Sequence, residues 1–326
     1  MKKVALSFLA LFVTAAFAFA EEGDMQAEAP PPPPPAVNTF NGSIISGVRI
    51  SNTSSGTTFQ LYDNNWATPG YEATFNLKST GSNFGMNIGV ALVNGVVTAN
   101  GATAYVSPME GLKVEAGTGN SVLGPLDWYG AGTFSGTGLT ASYTVSGLTI
   151  GSQIRPAIDA ASATVPVAYG AGLNLDKLAA VNVVAVTTNG YTPTTLNATA
   201  KLTALEDLGV SLKGGLLLGT MNTTQTVLLN ATAGLRIDVI NIWLTAVSTN
   251  LVVSTADMYV RPEVRVDLSD KFFVAGYYDY HTGSGVAGVF DVYSNLKIDP
   301  AFTLKLDGSF TTASVGTLDV MLCYNF

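Results

Sequence analysis

His281 is the single histidine and Cys323 the single cysteine of the chain. A general base needs a reacting proton and an orienting partner within hydrogen-bond reach. His281 lies beside Thr282 and Gly283, and no Gly-x-Ser-x-Gly sequence accompanies it. Metal sites need several imidazole, thiolate or closely spaced carboxylate ligands, and no such cluster occurs. The expectation is therefore no enzyme, no metal and no cofactor. His281 reads as a residue at the rim end of a strand, and Cys323 as a small strand filler.

The charged residues are more informative than the nucleophiles. Arg261, Glu263, Arg265 and Asp267 stand at every second position, as do Lys113 and Glu115, Arg236 and Asp238, and Lys305 and Asp307. Between them stand apolar residues such as Val260, Pro262, Val264 and Val266. A period of two puts the charges on one face of a strand and the apolar residues on the other. Ionised groups packed in a dry interior would be prohibitive, so the charged face must meet water.

The same alternation runs along the chain from about Phe40. Tyr71, Ala73, Phe75 and Leu77 alternate with Glu72, Asn76 and Lys78; Leu196, Ala198, Ala200 and Leu202 alternate with Asn197, Thr199 and Lys201. Phe302, Leu304, Leu306 and Phe310 alternate with Thr303, Lys305, Asp307 and Ser309. Apolar residues make up 47% and charged residues only 12%, yet beyond the N-terminus no apolar run approaches a spanning helix of ~18 residues. Strands with one lipid-facing and one water-facing side account for both facts. A soluble β-sandwich usually carries more surface charge.

Eight tight breaks fall near residues 79–82, 107–111, 146–147, 176–178, 206–207, 238–241, 269–271 and 299–301. They alternate with nine connections, often longer, at 51–70, 94–95, 119–135, 156–166, 189–193, 220–225, 249–256, 282–286 and 312–316. These breaks predict an all-β, transmembrane, antiparallel up-and-down β-barrel of about 18 strands, with 16 as the fallback. The strands run from about Asn41 to Phe326, both termini on the periplasmic side. Pro262 lacks a ladder donor, and a bulge or register shift is expected there. Tyr71, Phe272, Tyr278, Tyr280, Phe302 and Phe310 fall at strand ends on the apolar parity, where interfacial girdles form.

The N-terminus reads as a secretory signal peptide, residues 1–20: Lys2 and Lys3, an apolar stretch, and a cleavage site after Ala20. Residues 21–37 read as an acidic, Pro-rich periplasmic linker whose six prolines, Pro30 through Pro35, favour an extended rod. A plain spacer is the favoured reading, and cell-wall contact the alternative. Residues 38–326 form the barrel. Beyond the cleavage site stand 13 basic and 23 acidic residues, without the basic footprint of nucleic-acid binding.

At the carboxyl end Leu318, Val320, Leu322, Tyr324 and Phe326 share one face. Here the sequence resembles bacterial outer-membrane porins, whose last strand ends in an aromatic residue after alternating apolar positions. The resemblance implies an outer-membrane location among lipid, with Tyr324 and Phe326 as the signal to the barrel-assembly machinery. It also implies a water-filled lumen passing small hydrophilic solutes or ions by passive diffusion. Lys113, Glu115, Arg236, Asp238, Arg261, Glu263, Arg265, Asp267, Lys305 and Asp307 are the pore-lining candidates. The connection at 119–135 resembles in position the porin loop that folds inward, which makes Asp127 a constriction candidate. It lacks that loop's usual length and acidic motif, and a plain external loop is the favoured expectation. The alternative function is a structural or surface-coat barrel, an adhesin or cell-wall tether. Homo-oligomer formation is left open.

Overall fold

The structure is a computed structural model that describes residues 36–62, 73–93, 96–126, 134–155, 165–187, 194–221, 224–248, 251–252, 257–283, 287–311 and 316–326. Strands dominate. The first six are β1 (Val37–Thr53), β2 (Gly56–Tyr62), β3 (Ala73–Thr80), β4 (Phe84–Val93), β5 (Val96–Met109) and β6 (Leu112–Ser121). Then come β7 (Ser135–Val145), β8 (Leu148–Ile154), β9 (Val167–Asn174), β10 (Ala179–Thr187), β11 (Thr195–Leu202) and β12 (Val210–Met221). The last are β13 (Thr224–Ile237), β14 (Ile240–Ser248), β15 (Met258–Ser269), β16 (Phe272–His281), β17 (Val289–Lys297), β18 (Phe302–Thr311) and β19 (Gly316–Asn325). A 3-10 turn, Glu206–Leu208, precedes β12.

Apart from β2 and β3, each strand pairs antiparallel with its chain neighbour, and β1 closes the ring on β19, from Ser43 opposite Asn325 to Asn52 opposite Gly316. The other edge of β1 is shared: its second half pairs with β2 and its first half with β3. β2 and β3 thus occupy one stave, and the barrel has eighteen. Closure leaves no long edge to template aggregation.

The first connection departs from expectation. Residues 51–70 were expected to be a loop, but β1 and β2 turn tightly between Thr53 and Gly56. The polar run Thr57, Thr58 and Gln60 disguised the strand; Gln60 faces inward opposite Arg49. The eight short turns fall where the breaks were read. At one, Ser146 and Gly147 both adopt left-handed backbone (φ 47° and 81°), the conformation a two-residue hairpin needs. Pro262 brings no bulge: the β15–β16 register is the same on both sides of it, and the shift comes later, between Asp267 and Ser269. The ladder with β16 is instead interrupted at residues 261–262, so the missing N–H of Pro262 costs no slip.

The two faces differ as the alternation demands. Phe40, Ile88, Leu244, Phe290 and Phe310 are exposed on the outer side, whereas Thr199, Thr232, Asn241, Asp291 and Asp319 are buried on the inner side. Such a continuous apolar exterior suits lipid rather than water. Both ends of the described chain lie at the short-turn rim, where Val37 pairs with Thr80 and Asn325 with Ser43.

Candidate functional site

The charges of the inner face concentrate on the wall formed by β15 to β19 and β1. In-register pairing fixes their order. One row runs Asn241, Arg265, Ala275, Tyr293, Asp307, Asp319, Arg49, Gln60 across successive strands. The next row toward the long loops runs Trp243, Glu263, Tyr277, Asp291, Ser309 and Thr317. Neighbouring strands lie about 4.8 Å apart, so side chains in a row meet directly.

Arg49 grips Asp319 with two bonds of 2.7 Å, Nε to Oδ1 and Nη2 to Oδ2. Arg261 grips Asp279 in the same forked way, at 2.6 and 2.8 Å. Arg265 donates through Nε to Asp267 at 2.6 Å, and Asn241 donates to the second oxygen of that carboxylate at 2.9 Å. Tyr293 donates its hydroxyl to Glu263. The guanidinium of Arg261 lies 4.1 Å from the Tyr277 ring centroid, and that of Arg265 lies 3.8 Å from the Phe273 centroid. Planar guanidinium on a ring fixes the direction of the fork, which a lysine at either place would not.

On β9 and β10 the inner face carries the small, uncharged residues Ala168, Gly170, Gly172, Asn182 and Val184, and a strap crosses it. After β6 the chain does not simply leave the barrel: Val122 and Leu123 pack with Phe134, Ala168 and Val184 in a dry cluster. The Leu126 amide donates to Thr199 Oγ1 at 3.1 Å, and Asn182 Nδ2 donates to the Gly124 carbonyl. These contacts lie on β9, β10 and β11, so residues 121–126 run along the inner face across several staves. Gly151 and Gly170 make the seat. A Cβ added at Gly170 would come within 2.5 Å of Val122 Cγ1, and one at Gly151 within 3.0 Å. At the root of the strap, Gln153 donates to the carbonyl and to Oδ1 of Asn120, both at 2.9 Å, and accepts from Arg155 at 2.6 Å. The plain external loop expected at 119–135 is thus corrected for these residues. The sequence signal was the apolar pair Val122-Leu123 beyond a strand end, with glycines on β8 and β9 to receive it. Asp127 lies outside the described residues.

The remaining candidates are placed as follows. Lys113 and Glu115 form an ion pair on the inner face of β6, and Lys113 also lies 4.8 Å from the Tyr105 centroid. Arg261, Glu263, Arg265 and Asp267 line β15, but Arg261 pairs across to Asp279 rather than along the strand. Lys305 and Asp307 stand on the inner parity of β18 and are not an ion pair among the described residues. Asp238 is not on a strand wall: it is the turn residue after β13, with φ 53°, and Arg236 Nε reaches its carbonyl at 3.4 Å. A left-handed turn position next to a short connection is why it leaves the wall. Arg49, Asp279, Asp291 and Asp319 were not singled out from sequence, although each keeps the period of two with its flanking apolar residues.

His281 has a partner that the sequence did not reveal. Its Nδ1 meets Asp257 Oδ2 at 2.7 Å, while Thr282 Oγ1 and the Gly283 amide donate to Asp257 Oδ1 at 3.1 and 2.6 Å. The hydrogen bond with His281 first, and those of Gly283 and Thr282 after it, hold the Asp257 carboxyl below the usual carboxylate range against the opposing effect of burial. The Thr282 hydroxyl is engaged with Asp257, so the group ties two loop ends together at the long-loop rim. Among the described residues no group of three or more His, Cys, Asp or Glu side chains could hold a metal ion.

No family profile and no curated protein matches the sequence. Among solved structures, a variant of the Rhodopseudomonas blastica porin with five substitutions is similar over 89% of this chain and all of its own, at 10% identity and a TM-score of 0.57. Another variant of that porin, with three substitutions, matches over the same shares at 13% identity and a TM-score of 0.53. A structure described under asymmetric conductivity of engineered proteins matches likewise, at 10% identity and a TM-score of 0.56. At these identities the likeness is one of fold: the closed antiparallel barrel of this chain resembles that of bacterial porins.

Proposed function

We propose that this chain is a channel of the bacterial outer membrane that passes small hydrophilic solutes or ions by diffusion. One observation carries the reading. Ionised side chains line the inner face in registered rows while the outer face is apolar, and those charges need connected water. Eighteen staves are wide enough to enclose an aqueous passage, whereas eight would be filled by side chains. The strap narrows that passage on the side of β9 to β11, and the wall of β15 to β19 faces the solute. Lys113, Glu115, Arg236, Arg261, Glu263, Arg265, Asp267, Lys305 and Asp307 contribute to the lining, and Arg49 and Asp319 join them.

In this reading the first twenty residues direct export, and the Pro-rich stretch is a periplasmic spacer. Both chain termini face the periplasm, and Tyr324 and Phe326 guide insertion by the assembly machinery. The test is current through purified protein in planar bilayers: discrete steps support the channel. A barrel that inserts and carries no current is instead a structural component of the envelope.

A further inference from the structure

Three arginines of the charged wall are held differently. Arg49 and Arg261 each spend Nε and Nη2 on one carboxylate. Among the described residues, Arg265 hydrogen-bonds through Nε alone, which leaves its two Nη groups unspent. Its side chain is 37% exposed to the lumen. Its plane is held by Phe273 at 3.8 Å, and Phe273 is itself braced edge-to-face by Tyr293 at 5.9 Å and 83°. The acid partner, Asp267, has its other oxygen occupied by Asn241. Arg236 stands in the same cross-strand row, one stave beyond Asn241. Nearby Glu263 is engaged by the Tyr293 hydroxyl.

The geometry points to Arg265 as a carboxylate-binding step in the lumen, whose class of solute is the small organic acid. Two parallel N–H donors in a fixed plane match the two oxygens of a carboxylate, and chloride cannot use both equally well. Asp267 is occupied by Arg265 Nε on one oxygen and by Asn241 on the other, so neither Nη group of Arg265 is spent on it and both remain for an incoming carboxylate. Phe273 keeps the guanidinium from swinging away, which lowers the ordering cost of each encounter. The fork stands near the short-turn end of the passage, one turn-length from Ser269.

This assignment rests on the channel reading, and the two are separated by measuring binding and conduction independently. Purified barrel in detergent is titrated with carbon-13-labelled propionate, and line broadening reports a saturable site; propionamide is the neutral control. Saturable broadening by propionate, absent for propionamide, is expected. Arg265→Lys keeps the charge and removes the fork, and should weaken the site about tenfold, the worth of one charge-assisted hydrogen bond. Arg265→Gln should abolish it. Heat-modifiable mobility on gels shows that each variant is folded. Propionate that never saturates on the folded wild type, or that binds Arg265→Lys as well as wild type, overturns the assignment. Potassium chloride current in bilayers, measured on the wild type alone, tests the channel reading separately.

Discussion

Arg49 and Asp319 stand directly opposite each other where the first and last strands meet, joined by two hydrogen bonds of 2.7 Å. The seam that closes the barrel thus carries a forked ion pair between residues 270 positions apart. Asp319 is the better buried of the two, with 7% of its side chain exposed. Removing its partner strands a carboxylate.

Arg49→Ala should therefore lower the heat resistance of the folded barrel by about 1–3 kcal/mol. Arg49→Gln combined with Asp319→Asn should recover part of the loss, because the Asp319 charge is removed together with its partner. Heat-modifiable gel mobility across a temperature series reads both outcomes. A single variant as heat-resistant as wild type would show that the seam is held by its backbone ladder alone.

The strap should be loosened by Val122→Ser with Leu123→Ser, which places hydroxyls in the cluster of Phe134, Ala168 and Val184. Burying hydroxyls without partners costs about 1–3 kcal/mol each, enough to unseat a segment of this length. In bilayers the variant should show higher open-state noise and larger mean conductance than wild type. Unchanged traces would mean that the strap does not narrow the passage.

Acid should open the tie at the long-loop rim. The Asp257 carboxyl lies below its ordinary range, so its contribution is fully present above the unfolded value of about 3.9 and is lost as pH falls through the folded one. The Gly283 amide resonance, which reports the 2.6 Å bond to Asp257, should shift in that acid window and not near neutrality. Asp257→Asn should abolish the shift. An inflection near neutrality instead would contradict the assignment of the tie to the Asp257 carboxyl.

Phe326 exchanges both backbone hydrogen bonds with Gly42, and its ring lies 5.7 Å from Phe40, 5.9 Å from Phe75 and 5.7 Å from Tyr324. Deleting it removes two ladder bonds and the centre of an aromatic cluster. The expected outcome is periplasmic accumulation with little heat-modifiable barrel, and a normal yield of surface barrel would refute the assembly role.

Much of the architecture was legible because the side-chain period of a strand is local. Val260, Val264 and Val266 against Arg261, Glu263 and Arg265 announce two faces within seven residues, and each short turn carries its own Asp, Gly or Pro. β2 was not legible, because Thr57, Thr58 and Gln60 read as loop until Arg49 and its row supply the partner strand. Pairing across strands was hidden for the same reason. Parity places Arg261 on the inner face, but only register brings it to Asp279 rather than to Glu263. The apolar pair Val122-Leu123 beyond a strand end is a local signal, but its contacts with Gly151 and Gly170 on β8 and β9 depend on register that no local pattern encodes.

Single-channel recording in potassium chloride tests the central claim, that the lined lumen holds connected water, most directly. Folded barrel should give discrete, ohmic steps with a mild cation preference, since the chain beyond the linker acids carries 13 basic and 19 acidic residues. That preference should fade as the Debye length falls from ~10 Å at 0.1 M to ~3 Å at 1 M salt. Folded, inserted barrel that passes no current at any voltage would contradict the account.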